Sequence, residues 1–299
     1  MVEREGAMSR VLGETPPVCC DRNYLYAVVV DDPLTNDGAS GVNGALPAVF
    51  VGHGSPMNAL EHNRFTTAWH DLGRSVPRPR AILAISAHWY GMFSAVTAMA
   101  MPRTIHDFFG FPEELSAVRY PAPGAPNVAG EVADIVKPTW VGLDHDSWGL
   151  DHGTWSVLCH MFPEADVPVV QLSIDASRSF DEHLALGAAL EPLRHAGVLI
   201  VSSGNVVHNL RALRWGEPDA EFDWNRRFDT DARHLMASDP SLVAGLATHG
   251  DYSLAAPTPE HLIPLLYTAG VAAAAGTTAD VVVGGPQMGS LSMTTFATV

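Results

Sequence analysis

Five short apolar runs, each closed off by turn residues and separated from the next by helix-length sequence, dominate the chain from Pro47 onward. They are PAVFVG (47–52), AILAISA (81–87), VPVVQLS (167–173), GVLIVSS (197–203) and ADVVVGG (279–285). Rich in Val and Ile at consecutive positions, they read as strands buried on both faces, the pattern of a parallel sheet covered by helices. Helical spacing fills the gaps, over about 58–72, 127–137, 152–161, 181–195, 222–236, 241–248 and 258–274. The economical architecture is an α/β fold, a three-layer single domain with a central, mostly parallel mixed sheet flanked by helices. Such sheets bind small molecules beyond the carboxyl ends of their strands.

Residues 1–46 are of a different character, with PPVCC, the Gly- and Asn-rich NDGASGVNGAL, and one possible strand at YLYAVVV (24–30). They read as a flexible N-terminal extension in front of a folded unit spanning 47–299.

Histidine is the conspicuous residue type, with 14 against 17 Lys and Arg together. Each taken alone is more often a loop or hydrogen-bonded core residue than a ligand. Their placement sharpens the question. His53 follows the strand 47–52 between Gly52 and Gly54, with Ser55-Pro56 as a cap and first helical position. His88 follows the strand 81–87, and His208 lies shortly beyond 197–203 in SSGNVVHNL. His261 sits in APTPEHLIPLL, where Thr258 as cap and Pro259 as first helical residue would put it in the first turn of the last long helix. A positive helix end disfavours imidazolium there and keeps the ring able to ligate. GLDHGTW adds His152 at another helix start. Neighbouring parallel strands bring such ends together, and neutral imidazoles that converge can hold Zn²⁺ or Fe²⁺.

Other features narrow the field. A formal charge of −16 argues against nucleic acid or an anionic membrane as partner. No apolar run reaches the roughly 18–20 residues of a membrane span, and no basic-then-apolar leader opens the chain, so a cytoplasmic location is the expectation. Cys19, Cys20 and Cys159 form neither a disulfide framework nor a CxxC pair, and Cys159 reads as core. HDFFGFPEEL supplies Phe108, Phe109 and Phe111, with Tyr120 nearby, either as an aromatic wall for a planar ring or as a small core beneath a loop. His106, just before it, is a substrate contact or a cap.

Together, FVGHGSPMNAL, AILAISAHWY, TIHDFFGFPEEL with RYPAPGAP, GLDHGTW, FPEADVPVVQLSID, SSGNVVHNLR, APTPEHLIPLLYTAG and the tail MGSLSMTTF run in an order that resembles the class III extradiol ring-cleavage dioxygenases of LigB type, in the branch of the 4,5-DOPA dioxygenases. The resemblance covers about residues 47–299. It implies extradiol cleavage of a DOPA-like catechol by O₂ to a muconic semialdehyde-type product. It also implies one mononuclear divalent metal, with Fe²⁺ expected for catalysis and Zn²⁺ as the ion found after purification. By the same resemblance His53, His88, His208 and His261 are metal residues, His208 doubling as acid/base. His152 contacts substrate or oxygen by the same resemblance, whereas His106, Phe108, Phe109 and Tyr120 are substrate-site candidates on the residues alone, with the core and cap readings still open. The LigB group closes its ligand set with a glutamate, so Glu260 and His261 both remain open for the last position, the branch favouring His261. Trp148 stands where the family commonly has an arginine. A zinc hydrolase using the same histidines, and a non-catalytic metal-binding relative, are the alternative readings. Oligomeric state is open.

Overall fold

The computed structural model describes residues 44–299. Apart from residues 44–46, the expected extension and its candidate strand at 24–30 therefore lie outside the described residues. Leu46 is buried and its amide donates to the Arg194 carbonyl, so the chain is already packed where β1 begins.

In chain order the elements are β1 (Ala48–Gly52), α1 (Arg64–Ser75), β2 (Ala81–Gly91), β3 (Ala95–Thr97), α2 (Glu113–Ala117), α3 (Pro126–Ile135), β4 (Gly142–Asp144), α4 (His152–Met161), β5 (Val169–Asp175), α5 (Phe180–Leu190), α6 (Pro192–His195), β6 (Val198–Gly204), α7 (Asp223–Ser238), α8 (Tyr252–Ala255), α9 (Ile263–Ala274), β7 (Ala279–Val283), β8 (Pro286–Gln287), β9 (Leu291–Ser292) and β10 (Thr295–Thr298). Among the described residues, eight strands form one sheet in the order β4-β3-β5-β2-β6-β1-β10-β7. The central four, β5, β2, β6 and β1, are mutually parallel. Antiparallel joins at β3/β5 and β1/β10 make the sheet mixed.

Alternation along the strands separates two cores, because successive side chains face opposite ways. Val49, Val51, Ile82, Ala84, Leu199 and Val201 face α1 and α4, where Trp69 and Trp155 are fully buried. Ala48, Phe50, Leu83, Ile85, Val198 and Ile200 face α3, α5, α7 and α9. Three layers result, as the periodicity predicts. No helix among the described residues is long and apolar enough to cross a membrane.

The helix expected over 241–248 is a 3-10 segment, Pro240–Thr248, and that over 181–195 breaks into α5 and α6; three further expectations need correction. The run at 279–285 is not buried on both faces: β7 is an edge strand with Val281 and Val282 exposed, because β10, from the unassigned tail, inserts between it and β1. The helix expected over 58–72 divides into a short 3-10 turn, Pro56–Ala59, and α1, which restarts at Asn63 through a capping box with Thr66. The helix expected from 258 begins only at Ile263. Pro264 dictates this, since it is tolerated in a first turn but would break a hydrogen bond and clash inside a helix begun at 258.

His183 on α5 is fully buried, with Nδ1 3.1 Å from the Tyr267 hydroxyl. Burial pushes its pKa down from 6.5 to about 4. As pH falls through 6.5 the unfolded chain takes up a proton that the folded chain refuses, so stability is lost between about 6.5 and 4 and levels off below. The drop in unfolding free energy from pH 7 to pH 4.5, read by urea denaturation, should be smaller by about 2–3 kcal/mol in His183→Gln.

Candidate metal centre

The histidines reach one place by different local devices. His53 leaves β1 into a turn that needs a left-handed residue, supplied by Gly54 at φ 61°. Ser55 then caps the 3-10 turn, its side chain accepting from the Met57 amide. His88 does not follow β2, as the apolar run suggests, but lies within it, where the pairing with β5 shifts register between Ile85 and Tyr90. Irregularities of this kind re-aim side chains. His152 opens α4 under the Asp151 cap. His208 is pinned in the loop after β6 by its amide, which donates to the Ala255 carbonyl. His261 lies two residues before α9 rather than in its first turn. Its carbonyl accepts from the Asn205 amide at 2.8 Å and packs so closely on Gly204 that a Cβ there would collide with it.

Contacts at Nδ1 indicate which nitrogen is free in four of the rings, His53, His88, His152 and His261. The Ser203 hydroxyl gives its one proton to the Gly153 carbonyl at 2.6 Å, so at 2.8 Å from His53 it accepts from Nδ1–H. The Nε2 of His53 therefore carries a lone pair. Asp107 accepts from Nδ1–H of His88 at 3.1 Å and of His152 at 2.9 Å, and from the His152 amide at 3.0 Å. Glu260, itself accepting from Thr258, takes Nδ1–H of His261 at 3.2 Å. The two unprotonated Nε2 atoms of His53 and His88 face each other at 3.3 Å. Facing lone pairs repel unless a cation lies between them. Nitrogens bound at about 2.0–2.1 Å to a tetrahedral ion stand about 3.3–3.4 Å apart.

Ring positions add an independent test. The centroids of His53, His88 and His261 form a nearly equilateral triangle, with sides of 5.2, 5.3 and 5.1 Å. Three imidazoles sharing a tetrahedral ion through one nitrogen each have centroids about 5.2 Å apart. His152 breaks that symmetry, at 3.8 Å from His88 and 5.8 Å from His53. His208 is stacked on His261, 3.5 Å between centroids and 7° from parallel. By nitrogen and carboxylate distances alone the groups fall into two trios, His53/His88/His152 and His208/Glu260/His261, each within 4.8 Å. The ring triangle of His53, His88 and His261 meets the demands of a single ion in three separations at once. Thr258 and Nδ1 of His261 both bind Oε1 of Glu260, so it is the ring triangle that favours His261 over Glu260 as the third donor.

Electrostatics keep four of these rings neutral, and His88 is the exception. Burial, then the neighbouring imidazoles, hold His53 and His261 well below the usual histidine pKa. Burial pushes His208 down to about 4 and also lowers His152. His88 is raised, since the Asp107 hydrogen bond and nearby carboxylates outweigh its burial. Burial would raise Asp107, but the His152 and His88 donors hold it well below the usual carboxylate range. A set of neutral nitrogens fits a divalent ion such as zinc or ferrous iron.

The expected substrate residues divide. Phe108 packs edge-on to His152, at 5.6 Å, and near Trp155. Phe109 is 96 % exposed and turned to solvent. Tyr120 is 1 % exposed, its hydroxyl donating to the Phe162 carbonyl at 3.0 Å, so the structure places it in the core and not with the histidines. His106 is bound through Nε2–H to the Val118 carbonyl at 2.9 Å. Asp107 and Ser203 were missed by sequence reasoning. Asp107 stands inside the quoted HDFF segment, yet nothing local ties it to histidines 19 residues before it and 45 after it.

Comparison with known proteins agrees with this geometry. The family model described as the catalytic LigB subunit of aromatic ring-opening dioxygenase matches residues 49–288. A 4,5-DOPA dioxygenase extradiol of Escherichia coli K12 is 45 % identical over 252 residues, covering 83 % of this chain and 93 % of its own. One from Beta vulgaris is 36 % identical over 235 residues, covering 75 % and 85 %. A crystal structure of an uncharacterized protein from E. coli K12 superposes with a TM-score of 0.74 at 39 % identity, covering 84 % of this chain and 99 % of that one. With the fold, the histidine cluster and the sequence match all in agreement, the chain belongs to the LigB family of aromatic ring-opening dioxygenases and is an extradiol dioxygenase.

Proposed function

We propose that the chain cleaves the ring of a DOPA-like catechol with O₂, using one divalent ion held by His53, His88 and His261, with Fe²⁺ as the working metal and Zn²⁺ as a competent occupant. The observation that carries this reading is the triangle of three imidazoles, in which the Nε2 atoms of His53 and His88 stand 3.3 Å apart. When bound, the ion supplies Lewis acidity toward the two catechol oxygens and a route for electrons to O₂.

The chain's own residues supply the rest. His208, neutral and stacked beside His261, takes a proton from a catechol hydroxyl and later returns it. Its stacking argues against ligation, because in-plane lone pairs on parallel rings cannot both point at one ion. His152 presents Nε2 to substrate or oxygen, its other nitrogen being held by Asp107. Phe108 forms the apolar wall. Phe109 and Tyr120 have no part in this reading, and His106 acts by anchoring the loop. DOPA itself is the substrate we infer from relatives named 4,5-DOPA dioxygenase extradiol, and a semialdehyde-type product is the one we propose for it.

Anaerobic loading with Fe²⁺ followed by a catechol panel should give O₂ uptake and a yellow product. Zinc-dependent ester or amide hydrolysis without O₂ uptake would overturn the proposal in favour of a hydrolase. We further propose that residues 47–299 are the catalytic unit. Deleting residues 1–40 should leave kcat/KM within about twofold; loss of activity in a folded truncated protein would contradict this.

A further inference from the structure

We propose that Asp107 is a positioning residue for this centre, one carboxylate that sets the tautomer of two histidines with different tasks. The inference rests on the reading that His88 holds the metal. Each carboxylate oxygen is committed to a different ring. One accepts from Nδ1 of His88 at 3.1 Å, and the other accepts from both Nδ1 and the backbone amide of His152, at 2.9 and 3.0 Å. A group that accepts on both oxygens makes both rings carry their proton on Nδ1. Both Nε2 atoms are then left unprotonated, at His88 toward His53 and at His152 toward the substrate side. The two rings lie only 3.8 Å apart between centroids, so one anchor orients both. The same residue belongs to the loop whose next side chain, Phe108, packs against His152. Metal retention and substrate contact therefore share a single point of attachment.

Asparagine is the discriminating substitution. It keeps the shape and one acceptor oxygen but presents an NH₂ to the second imidazole. That ring must then turn its Nδ1 lone pair to the amide and move its proton to Nε2, where it blocks either the metal or the substrate. Glutamate keeps two acceptors and should restore part of what asparagine loses.

The test compares the parent, His88→Ala, Asp107→Asn and Asp107→Glu for Zn²⁺ affinity by chelator competition, and records histidine ¹⁵N–¹H correlations to assign tautomers. Asp107→Asn should bind Zn²⁺ about 10–100-fold more weakly or show an Nε2-protonated ring at position 152, with Asp107→Glu closer to the parent. Parent-like affinity together with Nδ1–H at both rings in Asp107→Asn overturns the inference. If His88→Ala itself binds Zn²⁺ as the parent does, the metal reading has failed, which is a separate result. Thermal melts of the metal-free variants identify a general folding defect; a loss of affinity that merely tracks such a defect, with both tautomers unchanged, also overturns the inference.

Discussion

His88→Ala should abolish stoichiometric metal binding and lower ring-cleavage turnover by at least about 10³-fold, since a bound ion contributes several kcal/mol to stabilising developing charge. The size of the effect follows from the geometry. His88 contributes one of two Nε2 lone pairs that oppose each other at 3.3 Å and one corner of the imidazole triangle. Removing it leaves His53 and His261 as two donors, too few for the three protein ligands usual in a catalytic site with open positions. His88 is half-buried, in the irregular part of β2, and the hydrophobic layers on either side of the sheet do not depend on it. Metal analysis and O₂ uptake on the folded variant check the prediction. Full metal content with parent-like turnover would contradict the assignment.

His208→Ala should separate chemistry from metal binding. Turnover is expected to fall by about 10²–10⁴-fold, the usual contribution of a positioned proton-transfer group, while most of the metal remains. Its ring lies 3.5 Å from His261 and within 7° of parallel, an arrangement suited to passing a proton beside the centre and unsuited to sharing its ion. Burial keeps it neutral before substrate binds. Complete metal loss in the folded variant would make His208 a ligand instead. Loss of turnover with KM little changed would agree with a group that acts mainly in the transition state.

Much of this was legible in the chain because strand ends and turn residues are local signals. His53 between two glycines announces a strand that stops to present a side chain, and the structure bears out its turn at Gly54. The resemblance reached the family, and the alternating apolar runs reached the three-layer fold. What escaped depends on contacts between distant residues. The tail TFAT becomes β10 only because β1 and β7 leave a place between them, and no local pattern in four residues says so. The orientation of His88 depends on a register shift set by β5. His261 lies ahead of its helix because Pro264 delays the start, a cue present in the sequence but outweighed in the reading by Thr258 and Pro259. Asp107 acts through partners 19 and 45 residues away. Tyr120 shows the converse: an aromatic beside a candidate loop, it serves the core.

The proposed chemistry requires one cation among side chains that the sequence keeps far apart. Crystals of the protein loaded with Zn²⁺ and measured at the zinc absorption edge test that most directly. A single anomalous peak is expected about 2.0–2.1 Å from Nε2 of His53, His88 and His261, with His208 and His152 beside it and unligated. A peak bound by His152 in place of His261, or no peak among these rings at all, would contradict it.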